Sequence, residues 1–194
     1  MERSSRRSEK IRRVLGYRQP GLTVVMENIH DPHNVSAVFR SCDAVGVMQV
    51  ELLYTHEKFP RIGKKSSSSA NKWLDRRKHT AVKECYATLR NEGFRIYASQ
   101  LDPGAVSLYD LELTQPVALV FGNEHRGVSE EAASCADGTF QIPMMGMIQS
   151  LNVSVACAVS LYEAMRQRTA RGSYNASGLT PDSLKTLYDD WIRR

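Results

Sequence analysis

Short apolar runs of strand length alternate with helical segments along this chain of 194 residues. The predicted strands cover residues 22–27, 47–54, 94–99, 117–121 and 139–142. Helices are predicted between or after them, over about 34–45, over 82–92, from Ser129 and from Leu151 onward. Such alternation is typical of proteins whose sheet is mainly parallel. The sequence therefore predicts an α/β fold with helices on both faces of the sheet.

Helices are predicted at both ends of the chain, and each needs another surface on which to bury its apolar stripe. In residues 1–20, Ile11, Val14 and Leu15 form an apolar stripe too narrow to fold alone. The last segment ends in an amphipathic helix that contains Trp191. We therefore divide the chain into a basic N-terminal helical extension (1–20), a central domain (21–172) and a C-terminal helical extension (173–194). Residues 55–72, which include a run of serines at 66–69, are predicted to form a mobile loop.

Residues 142–168 combine two unlike halves. The first half is apolar but interrupted by Pro143, Gly146 and Ser150, so its backbone is irregular. Irregular backbone among apolar residues needs hydrogen-bond partners, and it often wraps a ligand. The second half places small residues at helical spacing, which allows close packing. The segment predicts a ligand cradle followed by a packing helix.

Composition restricts the class of protein. A hydrophobic fraction of 42% and a charged fraction of 24% are ordinary for a globular domain. No apolar run approaches the roughly 20 residues that cross a bilayer. Four scattered cysteines predict reduced thiols and a cytoplasmic location, although a mitochondrial presequence is not excluded. The histidines show no metal-ligand spacing, so no metal is expected, although His30, Asp31 and His33 leave one conceivable site.

The net charge of +5 is concentrated in three places. Residues 1–18, the segment around Trp73, and the end of the long helix at Arg166, Arg168 and Arg171 are all basic. Charge runs often form solvated faces, which is the alternative interpretation. Three separate clusters in a small chain favour a polyanion such as nucleic acid over a membrane surface.

Three polar loops are predicted at the carboxyl edge of the sheet, where α/β proteins bind ligands. They cover residues 28–40, 121–127 and 142–152. None contains a dinucleotide-binding or P-loop motif, and no GxSxG motif accompanies the serines.

These loops read NIHDPHNVSAVFRSCDAVGV, ALVFGNEHRGVSEE and IPMMGMIQSLNVSVACAVSLYEAMRQR. They resemble the three motifs of the SpoU class of the SPOUT methyltransferases, and the resemblance extends over nearly the whole chain. It implies a C-terminal deep trefoil knot that binds S-adenosylmethionine, and a homodimer whose active site uses both subunits. Without a separate RNA-binding domain, the chain is similar to those members that methylate the ribose 2′-hydroxyl of guanosine 18 in tRNA.

The resemblance also assigns site residues by their match to the motifs. The expected catalytic residues are Arg40, Asn34, Glu124, Ser150 and Asn152. The expected cofactor-binding residues are Ser99, Gly122, Ile142, Met147 and Leu151. The expected contacts to tRNA phosphates are Arg7, Lys10, Arg18, Arg166 and Arg168.

Simpler roles are open for several of these residues. Arg40 would otherwise be a surface arginine; because a guanidinium keeps its proton, we expect it to stabilise a developing alkoxide rather than act as a base. Asn34 is suited to the role of a helix N-cap as well as to a contact with Arg40 or the ribose. Glu124 could be an ordinary surface-loop residue. Ser150 and Asn152 could cap the helix that follows them.

Other functions remain as alternatives. An rRNA ribose methyltransferase of the same class is the nearest, although such enzymes often carry an extra N-terminal domain. A non-catalytic RNA-binding protein would share the basic clusters but would not need the catalytic set. The basic ends disfavour a small-molecule substrate. Two features depart from the class, the SSSSANKW stretch before and at Trp73 and the pair His125–Arg126, and both bear on which tRNAs are accepted.

Overall fold

A computed structural model describes residues 2–62 and 70–194. The predicted serine-rich end of the 55–72 loop, residues 66–69, lies outside this range. The sheet contains seven strands: β1 (Leu22–Glu27), β2 (Gln49–Leu53), β3 (Asp75–His79), β4 (Arg95–Ser99), β5 (Val106–Ser107), β6 (Val117–Phe121) and β7 (Gly138–Gln141). Their order is β3-β2-β1-β6-β4-β7-β5, and every pairing is parallel. The predicted α/β class with a parallel sheet is confirmed, whereas the trefoil knot stays a prediction.

Six α-helices lie among the described residues. They are α1 (Glu2–Gly16), α2 (Pro32–Ala44), α3 (Val82–Asn91), α4 (Glu130–Cys135), α5 (Val153–Ala170) and α6 (Pro181–Trp191). None of the described helices is long and apolar enough to cross a membrane.

Helices cover both faces of the sheet, because alternate residues of each strand point in opposite directions. On β1, Val24 and Met26 belong to one core with residues of α2 and α5, whereas Val25 belongs to a second core with α3 and α4. The central strands β1 and β6 are buried along their whole length. Their carboxyl ends are therefore held rigidly, and the loops that follow them start from fixed points.

The two end helices pack against each other and against the loop before β3. Ile11, Leu15 and Trp191 form a small apolar cluster, and the ring centroids of Trp73 and Trp191 lie 5.0 Å apart. The thin apolar stripe of α1 is thus covered by α6. This packing places the basic N-terminal helix near the amino ends of β2 and β3. The three polar loops lie at the opposite edge of the sheet, where the strands have their carboxyl ends.

Arg18 lies beneath this helix pair and corrects one prediction. Its side chain is fully buried, donating hydrogen bonds to Val47 O at 2.6 Å and to Asp43 Oδ1 at 2.6 Å, and its guanidinium stacks on Trp191. A side chain with no exposed surface cannot contact a tRNA phosphate. Arg18 therefore joins the helix pair to the end of α2, and its predicted RNA contact is wrong.

Candidate active site

A cavity of about 520 Å³ opens at the carboxyl ends of β4, β6 and β7. Its wall is completed by the loop after β6 and by the irregular segment that leads into α5. Its lining includes Ser99, Gln100, Leu101, Gly122, Asn123, Glu124, Arg126, Gln141, Ile142, Met144, Ser150, Leu151, Asn152 and Ala156. Volume and mixed polar and apolar lining are those of a small-molecule site. Residues of the predicted ligand cradle, 142–152, form part of this wall, and ligand binding there stays a prediction.

The loop after β6 is exceptionally tight. A Cβ on Gly122 would lie 2.1 Å from the carbonyl of Gly127, so only glycine fits there. The Asn123 side chain accepts hydrogen bonds from the N–H groups of His125 and Arg126 at 3.0 and 3.3 Å, and it donates to Asn28 O at 2.8 Å. These contacts fix the position of Glu124 between them.

Glu124 joins this loop to the start of α2. Its carboxylate accepts hydrogen bonds from the backbone N–H groups of His30 and Asp31, both at 3.0 Å, and from Asn34 Nδ2 at 2.9 Å. Partial burial by itself would raise the pKa of Glu124, but the hydrogen bonds from Asn34 and the backbone outweigh it and lower the pKa. Glu124 is therefore an ionised acceptor that positions α2.

Asn34 and Asn152 extend the connection to the third loop. Asn152 Nδ2 donates to Asn34 Oδ1 at 3.1 Å, while Asn152 Oδ1 accepts from the Ser154 N–H at 2.9 Å and caps α5. Asn152 is thus the helix cap that the sequence suggests, and its catalytic role stays a prediction. Asn34 is not a helix cap, because Asp31 caps α2 by accepting from the His33 N–H. The structure brings Glu124, Asn34 and Asn152 into one chain of hydrogen bonds.

Arg40 is not brought to this cavity. It is exposed on α2, on the same stripe as His33 and Ala44, and it makes no hydrogen bond or ion pair with any residue in the described range. The stripe faces away from the buried side of the helix that carries Asn34. Within one chain, Arg40, the main predicted catalytic residue, therefore lies outside the cavity.

Four of the five predicted cofactor residues, Ser99, Gly122, Ile142 and Leu151, line the cavity together with Ser150. Met147 does not: its side chain is completely exposed and lies outside the lining. Met145 and Ile148, its neighbours in the same loop, are also exposed, at 94% and 63%. This part of the predicted cradle is an apolar surface in the single chain.

The predicted RNA contacts divide into exposed and buried groups. Arg7 and Lys10 are exposed on α1, and Arg166 is exposed on α5 with an ion pair to Glu163 at 2.8 Å. Arg168 is only 4% exposed and donates to Leu113 O, Gly21 O, Gln115 O and Gln19 Oε1. Its guanidinium is used inside the protein, so its prediction as a phosphate contact is wrong.

Sequence reasoning missed Asn28 and Glu57, two residues that organise the loops. Asn28 has a left-handed backbone (φ 51°), and its Oδ1 accepts from the N–H groups of Thr55, His56 and Glu57. Arg126 Nη2 donates to Glu57 Oε1 at 2.7 Å. The available signal for Asn28 was an asparagine directly after a buried strand. For Glu57, nothing in the local sequence indicated a role. Among the described residues, no group of histidine, cysteine or acidic side chains is arranged to hold a metal ion.

Comparison with known proteins identifies relatives across the whole chain. Residues 21–162 match the model of the SpoU rRNA Methylase family. The chain is 44% identical over 193 residues to the tRNA (guanosine(18)-2'-O)-methyltransferase of Thermus thermophilus, covering 100% of this chain and 99% of that protein. The crystal structure of the A. aeolicus TrmH/SpoU tRNA modifying enzyme is similar with a TM-score of 0.91, at 36% identity over 98% of this chain and 96% of that one.

A more distant structure contains a ligand. It is the SpoU methyltransferase AviRb from Streptomyces viridochromogenes in complex with the cofactor AdoMet. Its TM-score is 0.69 at 27% identity, with 80% of this chain and 62% of that chain covered.

Proposed function

The chain belongs to the SpoU rRNA methylase family, and from this premise we propose that it transfers a methyl group from S-adenosylmethionine to the ribose 2′-hydroxyl of guanosine 18 in tRNA. The observation that carries the proposal is the full-length identity of 44% to a protein named for that reaction. Close agreement with a TrmH/SpoU tRNA modifying enzyme over both chains supports it further. An rRNA target, which the family's description favours, is the second candidate.

The cavity suits S-adenosylmethionine in size and chemistry. Apolar side chains of Leu101, Ile142 and Leu151 can cover the faces of an adenine, and Gln100 and Gln141 offer polar groups nearby. When bound there, S-adenosylmethionine would supply an electrophilic methyl group. The residues of this chain hold the donor beside the loop that carries Ser150 and Asn152.

The hydrogen-bond chain from Glu124 to Asn152 has a positioning role in this proposal. Because the pKa of Glu124 is lowered, its carboxylate is a weak proton acceptor, and its hydrogen-bonding capacity is already used by Asn34 and the backbone. Its effect is to hold the start of α2 against the start of α5. The helix that carries Arg40 is thereby fixed relative to the cavity.

Arg40 is the proposed catalytic cation. A guanidinium placed beside the reacting ribose would stabilise the developing alkoxide and bind the adjacent phosphate. Since Arg40 does not reach the cavity of its own chain, we assign it to the cavity of a second copy, so that the active site is completed in a homodimer. Arg7, Lys10 and Arg166 supply exposed charges for tRNA phosphates.

An apolar surface is available for that dimer. Val155 and Tyr162 are 46% and 54% exposed on the outer stripe of α5, and the exposed loop residues Met145, Met147 and Ile148 lie in the segment just before this helix. Burial of such side chains against a second copy would be favourable, and exposed apolar side chains in this number are typical of interaction surfaces. The substrate and the free, mostly buried cysteines favour the cytoplasm as the location.

Nucleoside mapping tests the proposal. The purified protein is incubated with labelled S-adenosylmethionine and with separate tRNA and rRNA pools, and the labelled nucleosides are identified. We expect 2′-O-methylguanosine at position 18 of tRNA. Label in rRNA alone would move the assignment to the second candidate, and tRNA binding without label in any RNA would indicate a non-catalytic RNA-binding protein. Arg40→Ala should abolish incorporation of the label into tRNA. If the planar guanidinium is required, Arg40→Lys should incorporate little more label than Arg40→Ala.

A further inference from the structure

Arg126 stands at the wall of the cavity in a fixed position. The N–H groups of His125 and Arg126 are held by Asn123, and the Asn123 side chain is in turn anchored on Asn28 O. Asn123 is only 7% exposed, so this anchor is internal. The backbone that carries Arg126 is therefore a rigid part of the site.

The Arg126 side chain is held from a second direction. Its Nη2 donates to Glu57 Oε1 at 2.7 Å, and the N–H of Glu57 is bound by the Asn28 side chain at 3.2 Å. One buried asparagine, Asn28, thus positions both members of the ion pair, directly at Glu57 and through Asn123 at Arg126. An ion pair this exposed contributes little to folding, so its consequence is the orientation of the guanidinium.

Most of that guanidinium is available to a ligand. The Arg126 side chain is 62% exposed, and its Nε and Nη1 have no hydrogen-bond partner among residues 2–62 and 70–194. A planar guanidinium with free donors binds phosphate and carboxylate groups in preference to other ligands. Its position at the wall of the proposed methyl-donor cavity places any such anion next to the reacting groups.

We propose that Arg126 is a substrate-binding residue that contacts a phosphate of the substrate RNA next to the reacting nucleotide, and that Glu57 is a positioning residue that orients it. This inference rests on the proposed function. The carboxylate of the methyl donor offers the same chemistry, but the exposure of Arg126 favours a ligand that approaches from solvent. The acidic side chains named in this part of the site are already engaged: Glu57 pairs with Arg126, Glu124 accepts from Asn34 and the backbone, and Asp31 caps α2.

Binding measurements on Arg126→Gln test whether Arg126 contacts a phosphate of the RNA. Affinity for tRNA should fall roughly 3- to 10-fold at about 0.1 M salt, and the slope of log affinity against log salt should decrease by about one charge. Affinity for S-adenosylhomocysteine, measured by calorimetry, should stay within about twofold. Arg90→Gln is the matched control, because Arg90 is also an exposed arginine paired with a carboxylate, Asp137, at 2.9 Å but lies on α3 away from the cavity.

A double-mutant cycle tests the role of Glu57. Glu57→Gln should weaken tRNA binding in the wild-type background and should have little further effect on that binding in the Arg126→Gln background. An equal loss in both backgrounds would mean that Glu57 does not act through Arg126, and the positioning role would be wrong.

The outcomes separate this inference from the proposed function. If the wild-type protein methylates tRNA and Arg126→Gln binds tRNA with unchanged affinity and salt slope, the inference alone fails. A selective loss of S-adenosylhomocysteine affinity would assign Arg126 to the methyl donor and would also overturn it. If the wild-type protein neither binds nor methylates tRNA, the proposed function fails and the inference fails with it.

Discussion

Arg166 and Arg168 are separated by one residue on α5, and the structure predicts opposite consequences for their substitution. Arg168 is 4% exposed and donates to four acceptors: Leu113 O at 2.9 Å, Gly21 O at 2.7 Å, Gln115 O at 2.8 Å and Gln19 Oε1 at 3.2 Å. No carboxylate within residues 2–62 and 70–194 forms an ion pair with it, and burial lowers the pKa of its guanidinium. Arg166 is 68% exposed and contacts Glu163.

Arg168→Met removes these donors while keeping much of the side-chain volume. Each buried acceptor left without a partner costs about 1–3 kcal/mol, but water entering the gap will satisfy part of the set. We therefore expect a loss of about 3–5 kcal/mol in the free energy of unfolding, a large part of the total stability of a domain. For a chain of this length that corresponds to a decrease in Tm of roughly 6–20 °C.

Arg166→Gln should behave in the opposite way. An exposed ion pair contributes about 0–1 kcal/mol, so Tm should change by no more than about 3 °C. Affinity for tRNA should fall, and the salt dependence should decrease by about one charge. Thermal unfolding at one protein concentration and tRNA binding at several salt concentrations measure both effects. If Arg168→Met kept its Tm while its salt slope fell, the structural role of Arg168 would be refuted.

Three further predictions concern the cavity and the core. Gly122→Ala should abolish methyl transfer and lower Tm, because its Cβ would collide with Gly127; activity and unfolding equal to wild type would contradict this. Asn34→Ala should raise the pKa of Glu124. Because the folded-state pKa of Glu124 is depressed, its contribution to stability is present above the unfolded value near 4.5 and is lost as pH falls through the folded value. As the pH falls below the unfolded value, the Tm of the variant should therefore decrease less than that of the wild type, because Glu124 contributes less stability that acid can remove; an acid limb equal to that of the wild type would exclude this role. A thiol reagent at about pH 8 should modify Cys135 in the native protein and spare Cys42, Cys85 and Cys157, since these are buried and burial raises the pKa of Cys85 to about 12; rapid labelling of all four would contradict the burial.

The sequence predicted the central strands well because apolar runs are the direct signal of burial on both faces. It missed β3, whose residues read DRRKH, since charged residues in a strand carry no such signal. One buried residue of the partner strand compensates these charges: Arg77 and His79 on β3 both contact Glu51 on β2, at 2.8 and 2.7 Å. When the charge of one residue is balanced by a residue far away in the sequence, neither segment alone reveals the pairing.

The same limit explains the errors at the site. Arg18 and Arg168 were counted with the basic clusters, because local charge does not reveal whether acceptors such as Val47 O or Gly21 O will surround a guanidinium. The segment 142–152 was predicted to be a ligand cradle because irregular backbone among apolar residues has few structural explanations, whereas Ile142 and Leu151 were assigned individually by the family resemblance. Arg40 was identified only through the family resemblance, since an exposed arginine on a helix has no local feature that distinguishes it.

Methylation of a single ribose oxygen can be tested with one pair of tRNA substrates. Two tRNA transcripts that differ only at guanosine 18, with a ribose in one and a 2′-deoxyribose in the other, are incubated with the protein and labelled S-adenosylmethionine. The account predicts about one methyl group per ribose-containing transcript and none in the deoxyribose transcript. Equal labelling of both transcripts, or labelling of neither under conditions where both bind, would contradict it.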